Sequence, residues 1–272
     1  MLGRERIQYK TPDQVVLMRR AGLVVAQTLA AVRERIRPGI TVAALDEVAA
    51  TTIREAGATP NFLNYDGYPA VSCISVNEEI VHGIPGPRVL AAGDLVSVDC
   101  GAIVDGWHGD SAFSTIVPGE EDPEDVALVE LTEQAMWHGI AAIVAGRRVG
   151  DIGGAIEDFV ADRFGLVENY GGHGIGTEMH QAPHVLNYRT RERGPRLRPG
   201  LVLAIEPMLT RGNPATQVLD DGWTVVTVAG GRAAHWEHTV ALLEDGLWVL
   251  TAQDGGVAVL TGLGAQVSAL AR

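Results

Sequence analysis

Apolar and polar positions divide the chain into helix-length and strand-length segments, and the segments recur. Thr11-Pro12-Asp13-Gln14 opens the first: Thr11 suits the N-cap, Pro12 the first helical position and Gln14 the reciprocal side of a capping box. A helix is expected from there to about Arg35. Thr41 is placed to cap a second helix ending at Gly57, where a residue without Cβ relieves the left-handed C-terminal conformation. Asp122-Pro123 opens a third, expected to reach about Ala145, and Asp151 is expected to cap a fourth that ends near Gly165. Helix, short loop, helix thus occurs twice. Ile36, Gly39 and Val42 match Ile143, Gly146 and Val149 at an offset of 107 positions, and the same offset aligns LAAGDLVSVD (90–99) with LRPGLVLAIE (197–206). Both are a glycine turn, an apolar strand and then an acid. Internal duplication is the preferred reading, with halves at about 12–117 and 121–252 packed around a pseudo-twofold axis that brings Asp99 towards Glu206.

Acids interrupt other strand-like patterns too. In DCGAIVDGWHGDSAFS (99–114), Asp105-Gly106 is a two-residue hairpin signal, because both central residues of a type I′ turn need positive φ. Pairing Val104 with Trp107 sets Asp99 opposite Ala112. Alternation then puts Asp110 on the same face, diagonal to Asp99 with Cβ atoms about 7 Å apart. A one-residue bulge would flip one strand and undo the inference. Two ionised carboxylates side by side in a buried sheet repel each other and lose hydration, so they persist only with a proton, a cationic partner or a metal. No arginine or lysine occurs from Ala91 to Glu133. At this point an aspartate that merely hydrogen-bonds a turn or sits at a wet edge stays open as the bland alternative. Glu206 and Glu237, the latter in the apolar AAHWEHTVALL, supply further acids, and GGHGIGTEMHQAPH (171–184) supplies histidines. His184, in a proline-containing segment, reads as a surface or hydrogen-bonded residue.

Composition narrows the class. A chain of 272 residues, 46% apolar, can bury a sizeable core. Cys73 and Cys100 form no CxxC pair and read as free thiols of a reducing cytoplasm. The early apolar run Ala21 to Val32 is interrupted by Gln27 and Thr28 and preceded by charged residues, so neither a signal peptide nor a membrane span is expected. A formal charge of −13 argues against general nucleic-acid binding. The exception is a loop with Arg189, Arg191, Arg193, Arg196 and Arg198, which reads either as a solvated face or as a contact for ribosomal RNA. HExxH, P-loop and GxSxG motifs are absent.

VHGIP (81–85), SVDCG (97–101), HGDSAFS (108–114), GHGIG (172–176), AIEPML (204–209) and WEHTVAL (236–242) resemble, in order and spacing, the motifs of the type I methionine aminopeptidases. The resemblance covers about residues 10 to 250 and leaves out the tail Val257 to Arg272. It implies a pseudo-symmetric α/β "pita-bread" fold in one catalytic domain, with a central antiparallel sheet, flanking helices and a dinuclear metal site between the halves. The implied ligands are Asp99, Asp110, His173, Glu206 and Glu237, with Asp110 and Glu237 bridging both ions. Glu206 would also shuttle a proton, His180 would stabilise the tetrahedral oxyanion, and His82 would contact the scissile amide or the residue after methionine. Phe62, Tyr65, Tyr68, Cys73, Met179 and Trp223 match the family's substrate pocket, although many members carry a cysteine where Phe62 stands and an aromatic where Met179 stands. Four carboxylates and one imidazole suit Mn²⁺, Fe²⁺, Co²⁺ or Zn²⁺ alike. Two such ions can lower the pKa of a shared water and polarise a carbonyl. The expectation is a monomeric, cytoplasmic metalloaminopeptidase that removes the initiator methionine from nascent polypeptides whose second residue is small. A proline-specific (Xaa-Pro) peptidase of the same fold and a non-catalytic relative acting as a binding protein are the alternatives.

Overall fold

The computed structural model describes residues 6–143 and 147–271. Helix α1, Pro12–Arg33, starts with the expected capping box: Thr11 Oγ1 accepts from the Gln14 amide and the Gln14 side chain accepts from the Thr11 amide. By length and composition α1 is apolar enough to cross a membrane, yet Val15, Met18, Ala21, Val25 and Val32 are fully buried within the protein, which makes it a core helix. Thr41 caps α2, Val42–Glu55, which stops two residues before Gly57. Asp122 caps α3, Pro123–Ala141. This helix ends short of the expected limit, with Ala142 as its C-cap; Val144, Ala145 and Gly146 lie outside the described residues.

The fourth helix corrects the sequence reading at both ends. Helix α4 spans Gly150–Val160, its N-cap is Val149, and Asp151 sits inside the first turn. There the Asp151 carboxylate accepts from the Arg148 amide and pairs with the Arg193 guanidinium, so it ties a loop to the helix instead of capping it. The helix stops at Val160 rather than near Gly165 because Ala161 and Asp162 turn into the left-handed region at φ 48° and 59°.

The helices flank a nine-stranded sheet whose pairings are all antiparallel. In chain order its strands are β1 (Thr59–Pro60), β2 (Ser72–Val76), β3 (Leu95–Val104), β4 (Trp107–Ile116), β5 (Gly172–Gly174), β6 (Gln181–Val185), β7 (Val202–Ile205), β8 (Glu237–Leu243) and β9 (Gly246–Val249). Their order across the sheet is β1-β3-β4-β8-β7-β5-β6, with β2 also on β3 and β9 also on β8. The 107-residue offset reappears in the elements, since Leu95 and Val202 each begin a strand. The β3–β4 hairpin has the predicted register without a bulge: Val104 faces Trp107, Asp99 faces Ala112 and Gly101 faces Asp110. Asp105 and Gly106 supply the two positive φ angles, 50° and 77°. Because Ala112 also faces Glu237 on β8, Asp99 and Glu237 flank one alanine in a single cross-strand row. On the far side of β8, His238 faces Ile205, which brings Glu206, just past the end of β7, level with Glu237. The tail outside the family resemblance packs onto this frame, with a short helix α5 (Val257–Gly262), Leu260 and Ser268 fully buried, and Val267 bridged to Leu247.

Two glycines let α1 reach this sheet. A Cβ at Gly22 would stand 2.1 Å from the Leu250 carbonyl oxygen, and one on Gly109 of β4 would stand 2.8 Å from the Gly22 nitrogen. Gly22→Ala is therefore expected to cost about 1–3 kcal/mol through overpacking. It should lower the urea midpoint at unchanged slope; an unchanged midpoint would show that helix and hairpin do not meet so closely.

Candidate active site

Three elements deliver the innermost groups. Asp110 on β4, Glu237 on β8 and His173 on β5 each offer a ligand atom, all within 4.8 Å of one another and all buried. Thr239 locks the first two strands together there, its hydroxyl accepting from the Asp110 amide at 3.1 Å and donating to the Asp110 carbonyl at 2.8 Å. Asp99 and Glu206 complete the group and stay partly open to a cavity. Asp99 Oδ1, Asp110 Oδ1 and Glu237 Oε1 are buried without a hydrogen-bond partner. Among the described residues the only cation-capable groups within ion-pair distance of these four acids are imidazoles, His173 at 3.5 Å and His235 at 3.8 Å, both facing Glu206.

Burial raises the pKa of all four carboxylic acids, Asp110 to about 7. The neighbouring acids push further in the same direction, Asp110 and Glu206 acting on Asp99, and Asp110 on Glu206 and Glu237. His173 is pushed the other way, down to about 3, by burial and then by His180, so its ring is neutral near pH 7. A carbonyl can only accept, so the 3.0 Å contact from His173 Nδ1 to the Gly174 oxygen places the proton on Nδ1 and leaves Nε2 a bare lone pair. That lone pair confronts Glu206 Oε1 at 3.5 Å. With Glu206 ionised, two acceptors face each other across this gap beside three unpartnered carboxylate oxygens, so the pair needs either a proton on Glu206 or a shared cation. A divalent cation fits this donor set; another hydrogen-bond acceptor does not.

The cavity above the acids measures about 300 Å³ and is lined by all thirteen residues expected from the sequence, together with Asp66. One wall is an apolar cluster of Phe62, Tyr68, Ala70, Cys73 and Met179, with Ile84 and Trp223 against it. Tyr68 meets Phe62 and Trp223 edge-on, and its hydroxyl donates to the carbonyls of Ser72 and Gly83, both at 3.0 Å, which fixes the wall. Burial holds the Cys73 thiol up and neutral, so it serves as wall rather than nucleophile. The other wall is polar. His82 takes a left-handed φ of 59° and packs edge-on against Tyr170 and Trp223, and burial lowers its pKa to about 4. His180 Nδ1 lies 2.7 Å from the Tyr65 hydroxyl, and its ring meets His173 edge-on at 4.4 Å.

Sequence reasoning missed Asp66, Tyr170 and His235. His235 is fully enclosed, and its Nε2, which lacks a hydrogen-bond partner, stands under Glu206. Its place two residues before Glu237 in an apolar run was a usable signal. Asp66 reaches the rim from a loop turn at φ 48°, which no periodicity announces. His184 is exposed, as expected, and lines a separate groove.

Fold and cage together define a metallopeptidase with a two-sided substrate cleft. Residues 16–244 match the sequence profile of metallopeptidase family M24, and the chain belongs to that family. It is 50% identical over 257 residues to methionine aminopeptidase 1 of Mycobacterium tuberculosis (strain CDC 1551 / Oshkosh), an alignment covering 92% of this chain and 96% of that one. With methionine aminopeptidase 1 of Bacillus subtilis (strain 168) the identity is 44% over 243 residues, 89% of this chain and 98% of the other. The crystal structure of methionine aminopeptidase from Thermotoga maritima superposes with a TM-score of 0.88 at 41% identity, over 91% of this chain and all of that one.

Metal uptake must be coupled to proton loss. A carboxylic acid whose pKa is raised in the metal-free site holds its proton below that value and must give it up to a cation. His173, with its pKa lowered to about 3, is already neutral near pH 7 and contributes no proton. Titration calorimetry with Mn²⁺ in buffers of different ionisation enthalpy is therefore expected to show more protons released at pH 6 than at pH 8.5, because Asp110 titrates near 7. Release that does not depend on pH would contradict the carboxylate assignment.

Proposed function

We propose that this chain is a metal-dependent methionyl aminopeptidase that hydrolyses the first peptide bond of nascent polypeptides whose second residue is small. The observation that carries the reading is an apolar wall ending on a cage of four carboxylates and an imidazole, with no lysine or arginine among the described residues to balance it. Asp99, Asp110, His173, Glu206 and Glu237 would hold two divalent ions (Co, Mn, Fe or Zn), with Asp110 and Glu237 central to both. Bound there, such ions supply Lewis-acid polarisation of the scissile carbonyl and acidify a water molecule.

The protein's own groups do the rest. Phe62, Tyr68, Cys73, Met179 and Trp223 enclose a thioether side chain, which gives little to hydrogen-bond and so needs a shaped apolar wall. Phe62 and Met179 exchange the sizes usual in the family, a rigid ring on one side against a flexible thioether on the other, and keep the wall apolar. Glu206, ionised once the site holds a cation and partly open to the cavity, takes a proton from the attacking water and passes it to the departing amine. The Tyr65 hydroxyl lies 2.7 Å from Nδ1 of His180, and with Nδ1 accepting from it the ring carries hydrogen on Nε2 and presents a donor to the carbonyl oxygen as it becomes an oxyanion. His82, on the same side, contacts the scissile amide or the residue after methionine. The chain acts as one catalytic domain, a cytoplasmic monomer, in keeping with its two buried free thiols. Ribosome contact through the Arg189–Arg198 loop would bring it to emerging chains.

Purified protein should release methionine from a Met-Ala-Ser peptide with at least one of Mn²⁺, Fe²⁺, Co²⁺ and Zn²⁺; failure with all four, or preference for an Xaa-Pro substrate, would refute the assignment. Asp110→Ala should abolish both release and uptake of two metals, and full activity in that variant would exclude Asp110 as the shared ligand. Tyr65→Phe removes one hydrogen bond to a group that acts in the transition state, and is expected to lower kcat about tenfold with KM little changed. A rise in KM at constant kcat would instead make Tyr65 a binding residue only.

A further inference from the structure

Away from the active site, one cleft runs against the acidic character of the chain. It encloses about 420 Å³ and is lined by Arg147, Arg148, Arg189, Arg193 and Arg196, with Asp151 and Asp158 as its only acids. Five arginines against the two lining aspartates and the neighbouring Glu157, 4.0 Å from Arg189, leave a surplus of two positive charges in a chain of net charge −13. The segments carrying them are clipped together by backbone hydrogen bonds: Val149 to the Pro195 carbonyl at 3.0 Å, Gly150 to that of Arg193 at 2.9 Å and Leu197 to that of Arg147 at 2.6 Å. Small residues of α4 let the loop lie close. A Cβ on Gly150 would stand 2.9 Å from the Arg193 Cα, and one on Gly154 would stand 3.2 Å from the Arg189 guanidinium.

The arginines are not equivalent. Arg193 is held by Asp151 and Arg189 by Asp158, with Glu157 at 4.0 Å from Arg189, while Arg148 donates to the Gly194 carbonyl at 2.9 Å. Arg147 and Arg196 have no ion-pair or hydrogen-bond partner for their side chains among the described residues, and both are exposed. The first amides of α4 are engaged by Arg193, Arg148 and Val149 carbonyls, so the guanidinium groups rather than the helix end would hold a ligand. Of the five loop arginines singled out in the sequence, Arg191 and Arg198 do not line the cleft; Arg147 and Arg148, from the segment before α4, take their place.

We infer that this cleft is a binding site for a compact phosphate-bearing anion, held chiefly by Arg147 and Arg196 with Arg148 beside them. Planar guanidinium forks match phosphate oxygens bidentately, and a surplus of two charges exceeds what a single carboxylate would neutralise. The concave shape suits one diphosphate unit, and the chain's overall negative charge opposes a long polyanion. The phosphate can come from a free diphosphate or from an RNA backbone; the inference does not depend on the hydrolytic reading.

Calorimetry at low salt with sodium pyrophosphate, and separately with a short single-stranded RNA, tests it on the metal-loaded wild type, on an Arg147→Ala/Arg196→Ala double variant and on Arg191→Ala. The active-site metal is common to all three, so a difference between them reads the cleft. Pyrophosphate is expected to bind the wild type and the Arg191 variant alike, and the double variant at least about tenfold more weakly through loss of charge-assisted bonds. Methionine release should be equal in all three. RNA binding lost in the same double variant, with a steep salt dependence, would assign the phosphate to RNA; RNA that does not bind would assign it to a free anion. Absence of binding by both ligands, or binding insensitive to the double substitution, would overturn the inference.

Discussion

Four carboxylic acids and a neutral imidazole share the floor of one cavity, and among the described residues no lysine or arginine side chain balances them. Much of the molecule follows from that unmet demand for positive charge. In the absence of a cation, all four acids are driven towards the protonated form by burial, and Asp99, Glu206 and Glu237 by neighbouring acids as well, and three carboxylate oxygens are left without partners. Such a cluster is costly unless something binds in it. The hydrogen bond from His173 Nδ1 to the Gly174 carbonyl makes the same point at atomic scale, since it points a lone pair at Glu206, which must then carry a proton or share a cation.

The fold meets the demand geometrically. The β3–β4 hairpin puts Asp99 and Asp110 on one face, and β8 slots Glu237 into the same row through Ala112. β7 and β5 then carry Glu206 and His173 in from the other half of the chain. Antiparallel register does this work, because a shift of one residue on any of these strands would turn an acid into the opposite layer. The close approach of α1 to β4 at Gly22 and Gly109 braces the hairpin from behind. The cage is thus built on paired strands, whereas the rim residues Asp66, Tyr65 and Trp223 come from turns and loops around it.

The parts of the site governed by period-two alternation and turn chemistry were legible in the sequence. Asp105-Gly106 was enough to place Asp99 and Asp110 together, and the 107-residue offset tied Glu206 to Asp99. The pocket residues were reached only through resemblance to a family, since buried aromatics look the same in a core and in a cleft. Asp151 shows where local rules failed: an acid before an apolar helix reads as a cap, but its ion pair with Arg193, 42 positions away, set a different role. His235 was hidden by its neighbour Glu237, and Asp66 by a left-handed turn without a periodic signature. Arg147 and Arg148 joined the arginine loop through tertiary pairing that no local pattern encodes.

Anomalous scattering from crystals soaked in Mn²⁺ or Co²⁺ tests the central claim most directly. Strong peaks within ligand distance of Asp99, Asp110, His173, Glu206 and Glu237, two of them with Asp110 and Glu237 between, are the predicted result. Crystals that bind the ions elsewhere and leave those five residues without a peak would contradict the account.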